Sequence, residues 1–272
     1  MIKALTSPIK PNKEEKQKYR RQVALSLLIL YVAASLANIA FIRELNRLKF
    51  ESGVIENKLY KPVYDHIIET GIFSLIIGAV IIFIGLWVSS GANLGAPVLA
   101  RLFSKKTISE LMDWKSFLSG VVLAIFIAIA LLVLFELQNL FYPVTALQER
   151  PSKWYYVLVS IVVGINEEII YRLGLMSLIV TSILYFKNLK EPTNHIIWAG
   201  IIISAFIFGL MHFPITSNFF KLTPLTIGVT MTGNLITGTT FGWIFWKRGL
   251  LIAMLSHIAF DLTFHVIGSP FG

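Results

Sequence analysis

The sequence contains no cysteine. That absence removes disulfides, thiolate metal sites and a cysteine nucleophile together. Charge is scarce too: 14% of the 272 residues are Asp, Glu, Lys or Arg, against about 25% in soluble domains. Acidic residues are the rarer sign, 15 against 24 basic ones. The apolar runs are continuous rather than alternating, which excludes a transmembrane β-barrel. No internal repeat and no polar stretch of domain size interrupts them.

What is there is apolar, 56% of the residues. The apolar residues fall into blocks long enough to cross a hydrocarbon core, which takes about 20 residues per helix. The pattern predicts an all-α, polytopic transmembrane bundle of about seven spans, with eight as the alternative. The spans are expected near 22–42, 67–89, 117–142, 154–186, 196–220, 223–246 and 249–268. The fourth is long enough to tilt or to project beyond the bilayer. Residues 93–116 are amphipathic and basic and read as a segment on the membrane surface. Along the sixth span Gly228, Gly233, Gly238 and Gly242 recur, a small-residue pattern that lets helices approach closely. The chain thus divides into a basic tail (1–21), N-terminal spans with the amphipathic segment (22–114) and a membrane core (115–268).

The tail, MIKALTSPIKPNKEEKQKYRR, has no apolar core and reads as a cytosolic segment, not a cleavable signal. With the N-terminus inside, inner segments carry fifteen Lys and Arg and outer loops eight. That bias favours a cytosolic N-terminus in the cell membrane. The net charge of +9 is then read as orientation signal and contact with anionic lipid, not as a nucleic-acid surface.

Ionisable groups in hydrocarbon cost about 2.5–3.5 kcal/mol each on insertion scales, so those present need partners or a wet cavity. The fourth span carries Glu167, Glu168 and Arg172 in GINEEIIYRLGLM; the fifth carries His212 in FGLMHF; the seventh carries His257 and Asp261 in SHIAFD. Glu168 and Arg172 are four apart and can pair on one helix face. Glu167 points about 100° away from Glu168 and is free for another partner. His257 and Asp261 share a face, as do Phe208 and His212. Glu136, followed by Gln138 and Asn139, fits the membrane interface. His66 and His195 stand at the beginnings of spans, and His265 near the outer end of its own, where none needs a function.

One spare carboxylate and two imidazoles on three spans are groups that activate water. The same groups could ligate zinc, with Asp261 as the fourth ligand. A non-catalytic scaffold and a transporter remain the rival classes. A difficulty lies in depth. Counted from the inner ends of their spans, His257 lies about 12 Å deep and His212 about 25 Å deep. They meet only if the fifth span starts outside the bilayer core, tilts or bends, and Pro214 can supply a break beyond His212.

EEIIYR, FGLMH and HIAFD, in that order on successive spans, resemble the motifs of the CPBP intramembrane proteases. These include the type II CAAX prenyl endopeptidases and the bacteriocin-processing or self-immunity proteins. The likeness covers about residues 115–268. It implies a glutamate-type protease that requires no cofactor, acting on a membrane-anchored, lipidated or other membrane peptide. Glu167 and His212 would activate water, His257 and Asp261 would stand where the oxyanion forms, and Glu168 and Arg172 would brace the site. The prenyl-endopeptidase branch usually has Asn at the position of Asp261. An ionised Asp repels an oxyanion, so Asp261 is expected to orient His257, to carry a proton or to bind metal.

Overall fold

The computed structural model describes residues 13–56, 62–104, 107 and 114–268. Most of the basic tail, and the stretches 105–106 and 108–113 of the amphipathic segment, lie outside the described residues. Hydrocarbon offers no partner for backbone N–H and C=O groups, so chain that crosses it closes its hydrogen bonds internally as helix. The described residues are accordingly helical, apart from loops and one isolated bridge between Ala146 and Phe220.

The helices are α1 (Lys13–Lys18), α2 (Arg20–Glu51), α3 (Val63–Gly91), α4 (Pro97–Phe103), α5 (Trp114–Phe141) and α6 (Lys153–Glu167). A π-helical stretch, π1 (Glu168–Met176), runs on from α6 into α7 (Ser177–Phe186). There follow α8 (Asn194–Met211), α9 (Phe213–Thr216), α10 (Pro224–Arg248), α11 (Leu250–Asp261) and a second π stretch, π2 (Leu262–Ile267). Six helical rods are long and apolar enough to cross a membrane: 20–51, 63–91, 117–141, 153–186, 194–216 and 250–267.

Six of the seven expected spans correspond to these rods and the remaining one to α10; two differences are instructive. The first helix runs on to Glu51, past the expected end near residue 42. Arg47 holds this extension together, bonding Glu44 at 2.7 Å and Glu51 at 2.8 Å one turn to either side. The sixth span, α10, has the length to cross but not the apolarity, because threonine, glycine and asparagine fill it. Its place in the bundle compensates. Phe241, Ile244 and Phe245 are buried, and Thr237 and Thr240 return their hydroxyls to carbonyls one turn back. Its glycines do what small residues do: a Cβ on Gly238 would lie 2.8 Å from that of Ala205, and one on Gly242 would lie 3.1 Å from Ile201. α8 and α10 therefore run antiparallel at close range.

Two contacts set the position of α11. Gly249 turns the chain at φ 82°, and a side chain there would strike Pro97. The Leu250 amide donates to the Gly95 carbonyl at 3.0 Å. The described part of the amphipathic segment thus tucks under the turn, with Val98, Leu99 and Ala100 buried and Leu102 exposed. Higher up, Gly164 of α6 meets Ile258 of α11 so closely that a Cβ would lie 3.1 Å from the Ile258 amide nitrogen. This glycine brings the two helices that carry Glu167 and His257 together.

Candidate active site

Glu167 is the last residue of α6 and Glu168 the first of π1, so the two carboxylates sit where the winding changes. Single π turns inside longer helices recur at functional sites. His212 caps the C-terminus of α8, just before Pro214 restarts the chain as α9. His257 lies on the buried face of α11, and Asp261 ends that helix where π2 begins.

The structure brings all six expected residues together. Glu167 reaches both histidines: Oε1 stands 3.9 Å from His212 Nε2, and Oε2 stands 3.8 Å from His257 Nε2. Both imidazoles stand close to this one carboxylate, so the depth offset counted along straight helices does not keep them apart. Asp261 Oδ2 is 3.8 Å from the same His257 nitrogen. The break beyond His212 lies where Pro214 was expected to make it.

Hydrogen bonds fix both rings. His212 Nδ1 lies 2.7 Å from the Phe208 carbonyl, which can only accept, so Nδ1 carries the proton. In the neutral ring Nε2 is then a bare lone pair facing Glu167. His257 Nδ1 lies 2.9 Å from Glu168 Oε1, a carboxylate that accepts in turn. Its Nε2 therefore also faces Glu167 without a proton when the ring is neutral. The orienting bond on His257 thus comes from Glu168, not from Asp261 as the i,i+4 spacing suggested. Asp261 stands on the Nε2 side, near where a reacting atom would sit.

Beneath this, Arg172 and Glu168 are both fully buried, with Nε and Oε2 3.4 Å apart. The contact is an ion pair without hydrogen-bond alignment, and the guanidinium rests 5.3 Å from the Phe208 ring centre. Phe208 also packs on His212 at 4.3 Å and takes the edge of Tyr171. Phe241 of α10 stacks on His257, 4.3 Å apart and 20° from parallel. Exposure across the site is uneven. Glu167 and His212 side chains are 16% and 20% exposed, whereas His257 is 5% and Glu168 is closed.

Residues 149–263 match the family model described as type II CAAX prenyl endopeptidase Rce1-like. This stretch is similar to the Rce1-like family. The match spans α6 to the start of π2 and so contains every residue of the cluster, and the six membrane-capable helices make the chain an integral membrane protein. No curated protein and no solved structure matches the chain. Among the described contacts Glu136, His66 and His195 make no hydrogen bond or ion pair to Glu167, His212 or His257. Among the described residues no group of three or more His, Cys, Asp or Glu is arranged to hold a metal ion.

Sequence reasoning missed four features. No spacing rule links Phe241 to His257. The bond from Glu168 to His257 joins two helices 89 residues apart. The π winding leaves no mark in an apolar stretch. His265, set aside as bland, joins Arg150 and Tyr156 in a second polar group.

Proposed function

We propose that the chain is an intramembrane endopeptidase that hydrolyses a peptide bond near the membrane surface with water activated by Glu167 and His212. The observation that carries this is the carboxylate of Glu167 lying 3.9 Å from His212 Nε2 and 3.8 Å from His257 Nε2, with each ring pinned through its Nδ1. A water on Glu167 loses a proton to the carboxylate or to His212 Nε2 as its oxygen attacks the substrate carbonyl carbon. The carbonyl oxygen becomes an oxyanion. His257, protonated at Nε2 and held by Glu168, donates to it, and Asp261 does so when it carries a proton. The tetrahedral intermediate collapses, the C–N bond breaks, and the proton taken from water passes to the departing amine. The products are a new carboxyl terminus and a new amine. No cofactor is required; if zinc takes part, Glu167, His212, His257 and Asp261 are the ligands available.

The substrate in this reading is a membrane-anchored protein or peptide. A CAAX-type prenylated chain is the leading candidate, given the type II CAAX prenyl endopeptidase family that residues 149–263 resemble. The N-terminus faces the cytosol of a cell membrane, with anionic lipid against the basic tail. Because the chain has no cysteine, single cysteines at residues 20 and 150 report sidedness through an impermeant thiol reagent without background. A scaffold or immunity function is the second reading, favoured by the closed Glu168–Arg172 pair, which stabilises packing whether or not chemistry occurs.

The test uses protein purified into vesicles and a prenylated peptide, compared with a non-prenylated membrane peptide. Glu167→Gln should lower cleavage by about 10²–10⁴, the contribution of a general base, with an unchanged melting temperature. Cleavage at the wild-type rate by that variant rejects the assignment. An intact fold with no cleavage of any membrane peptide by the wild type favours the scaffold.

A further inference from the structure

α2 lies outside the stretch that resembles the family, yet it turns polar side chains toward α6. The Ser35 hydroxyl donates to the Tyr31 carbonyl at 2.8 Å, and Asn166 Nδ2 of α6 donates to Ser35 Oγ at 3.0 Å. Six residues beyond Ser35, the Phe41 ring meets that of Tyr156 of α6 at 5.8 Å. Asn38 lies midway between these two points of contact, three residues from each, and so stands on the same seam. Among the described residues, neither Asn38 Oδ1 nor Asn166 Oδ1 accepts a hydrogen bond, although both atoms are buried.

α6 supplies no donor to either oxygen. Between Tyr156 and Asn166 its one polar side chain is Ser160, whose single hydroxyl hydrogen goes to the Tyr156 carbonyl. The backbone N–H groups within both helices are given to carbonyls one turn back. Buried polar atoms in native proteins have partners, either from the chain or from ordered water. Both orphans here are acceptors, and water has two O–H groups to give. A metal ion fits this group less well. It takes about six oxygens, whereas the group has two amides and a hydroxyl, no acidic side chain, and backbone carbonyls already engaged in helices.

The position of the group gives it a use. Asn166 and Glu167 are consecutive, with Cα atoms about 3.8 Å apart, and their side chains diverge by about 100°. Asn166 reaches α2, while Glu167 reaches His212 and His257. Each hydrolysis consumes one water, whose oxygen ends in the new carboxyl terminus. The surrounding hydrocarbon supplies none.

We propose that Ser35, Asn38 and Asn166 hold water between α2 and α6, a store from which the base Glu167 is resupplied. The use of that water rests on the endopeptidase reading, but the hydrated site itself is testable without cleavage.

The experiment is X-ray radiolysis of the purified protein in detergent. Bound water becomes hydroxyl radical and oxidises the side chains beside it, and mass spectrometry reads the positions. Ile39, next to Asn38, and Val162, one turn before Asn166, are 6% and 3% exposed. They should be oxidised at least fivefold faster than Ile244 and Phe245, which are 0% and 1% exposed. Asn38→Leu fills the place with methyl groups and should bring the rate down to that of Ile244 and Phe245. Asn38→Ala leaves room for a further water and should keep most of the signal. Cleavage should follow the same order: kcat falls at least tenfold in Asn38→Leu, with KM within twofold, and falls less in Asn38→Ala. Asn166→Leu serves in the same way should Asn38→Leu fold poorly. Glu167→Gln should keep the oxidation of Ile39 and Val162 while losing cleavage. A wild type that is oxidised there but cleaves no peptide leaves the hydrated site standing and rejects the endopeptidase reading. Oxidation of Ile39 and Val162 no faster than that of Ile244 and Phe245 overturns the proposal, as does oxidation that Asn38→Leu leaves unchanged. Equal losses of kcat in Asn38→Leu and Asn38→Ala, matched by equal falls in melting temperature, overturn it too and assign the asparagine to packing.

Discussion

The closed pair of Glu168 and Arg172 permits a prediction in which stability and activity separate. Both side chains are fully buried, and Glu168 also accepts the hydrogen bond of His257 at 2.9 Å. Glu168→Ala leaves a guanidinium in the core with no counter-charge, a loss of about 3–5 kcal/mol. For a chain of this size that is a fall of roughly 10 °C in melting temperature, at about 2–4 °C per kcal/mol. The double variant Glu168→Leu/Arg172→Met removes both charges and fills the space with apolar atoms, a replacement that is often neutral. One deficit persists, the orphaned N–H of His257, which costs about 1–3 kcal/mol. The double variant should therefore recover most, not all, of the lost stability. Its cleavage should stay reduced by about 10² or more, because His257 is no longer held for the oxyanion. Chemical or thermal unfolding in detergent gives the stabilities, and peptide cleavage gives the rates. A single variant losing under about 1 kcal/mol, or a double variant no more stable than the single, refutes the burial argument. A double variant cleaving at the wild-type rate refutes the orienting role of Glu168.

Other expectations concern the neighbouring residues. Gly164→Val puts a side chain against the Ile258 backbone nitrogen and the Met254 carbonyl; it should cost about 1–3 kcal/mol and, by parting α6 from α11, lower cleavage at least tenfold at a temperature where the variant is folded. Asp261→Asn supplies a fixed N–H beside His257 and should retain cleavage within about tenfold, whereas Asp261→Leu should lose about 10²–10³; equal losses would point to metal ligation. Treatment with a chelator should leave cleavage unchanged, and metal analysis of active protein should find no stoichiometric zinc; loss on chelation and recovery with zinc would replace water activation by carboxylate with metal catalysis.

The helices were legible because continuous apolar runs leave the chain little choice in lipid, and the rods fall within a few residues of those runs. The extension of α2 was hidden because its charges read as loop, although Arg47 pairs with Glu44 and Glu51 along the helix. The polar cluster was legible for the opposite reason: Glu167, His212 and His257 stand out against hydrocarbon. Their partnership was not, since depth counted along straight helices separates the histidines, whereas the packed helices set both rings beside Glu167 and Phe208. Assigning Asp261 to orient His257 followed from i,i+4 proximity. The structure gives that bond to Glu168, on another helix, because tertiary approach at Gly164 outweighs neighbourhood along α11.

The polarity of α10 bears on how the protein is made. A helix filled with Thr, Gly and Asn has too little affinity for lipid to partition on its own, and its stability in the bundle comes from close contact with α8 and burial of Phe241 and Phe245. During synthesis it should therefore wait at the insertion machinery until neighbouring segments accompany it. A nascent chain truncated after Arg248 should leave this helix outside the bilayer, and adding α11 should draw it in. Glycosylation mapping of the two truncated chains would show that difference; its absence would mean that α10 inserts unaided.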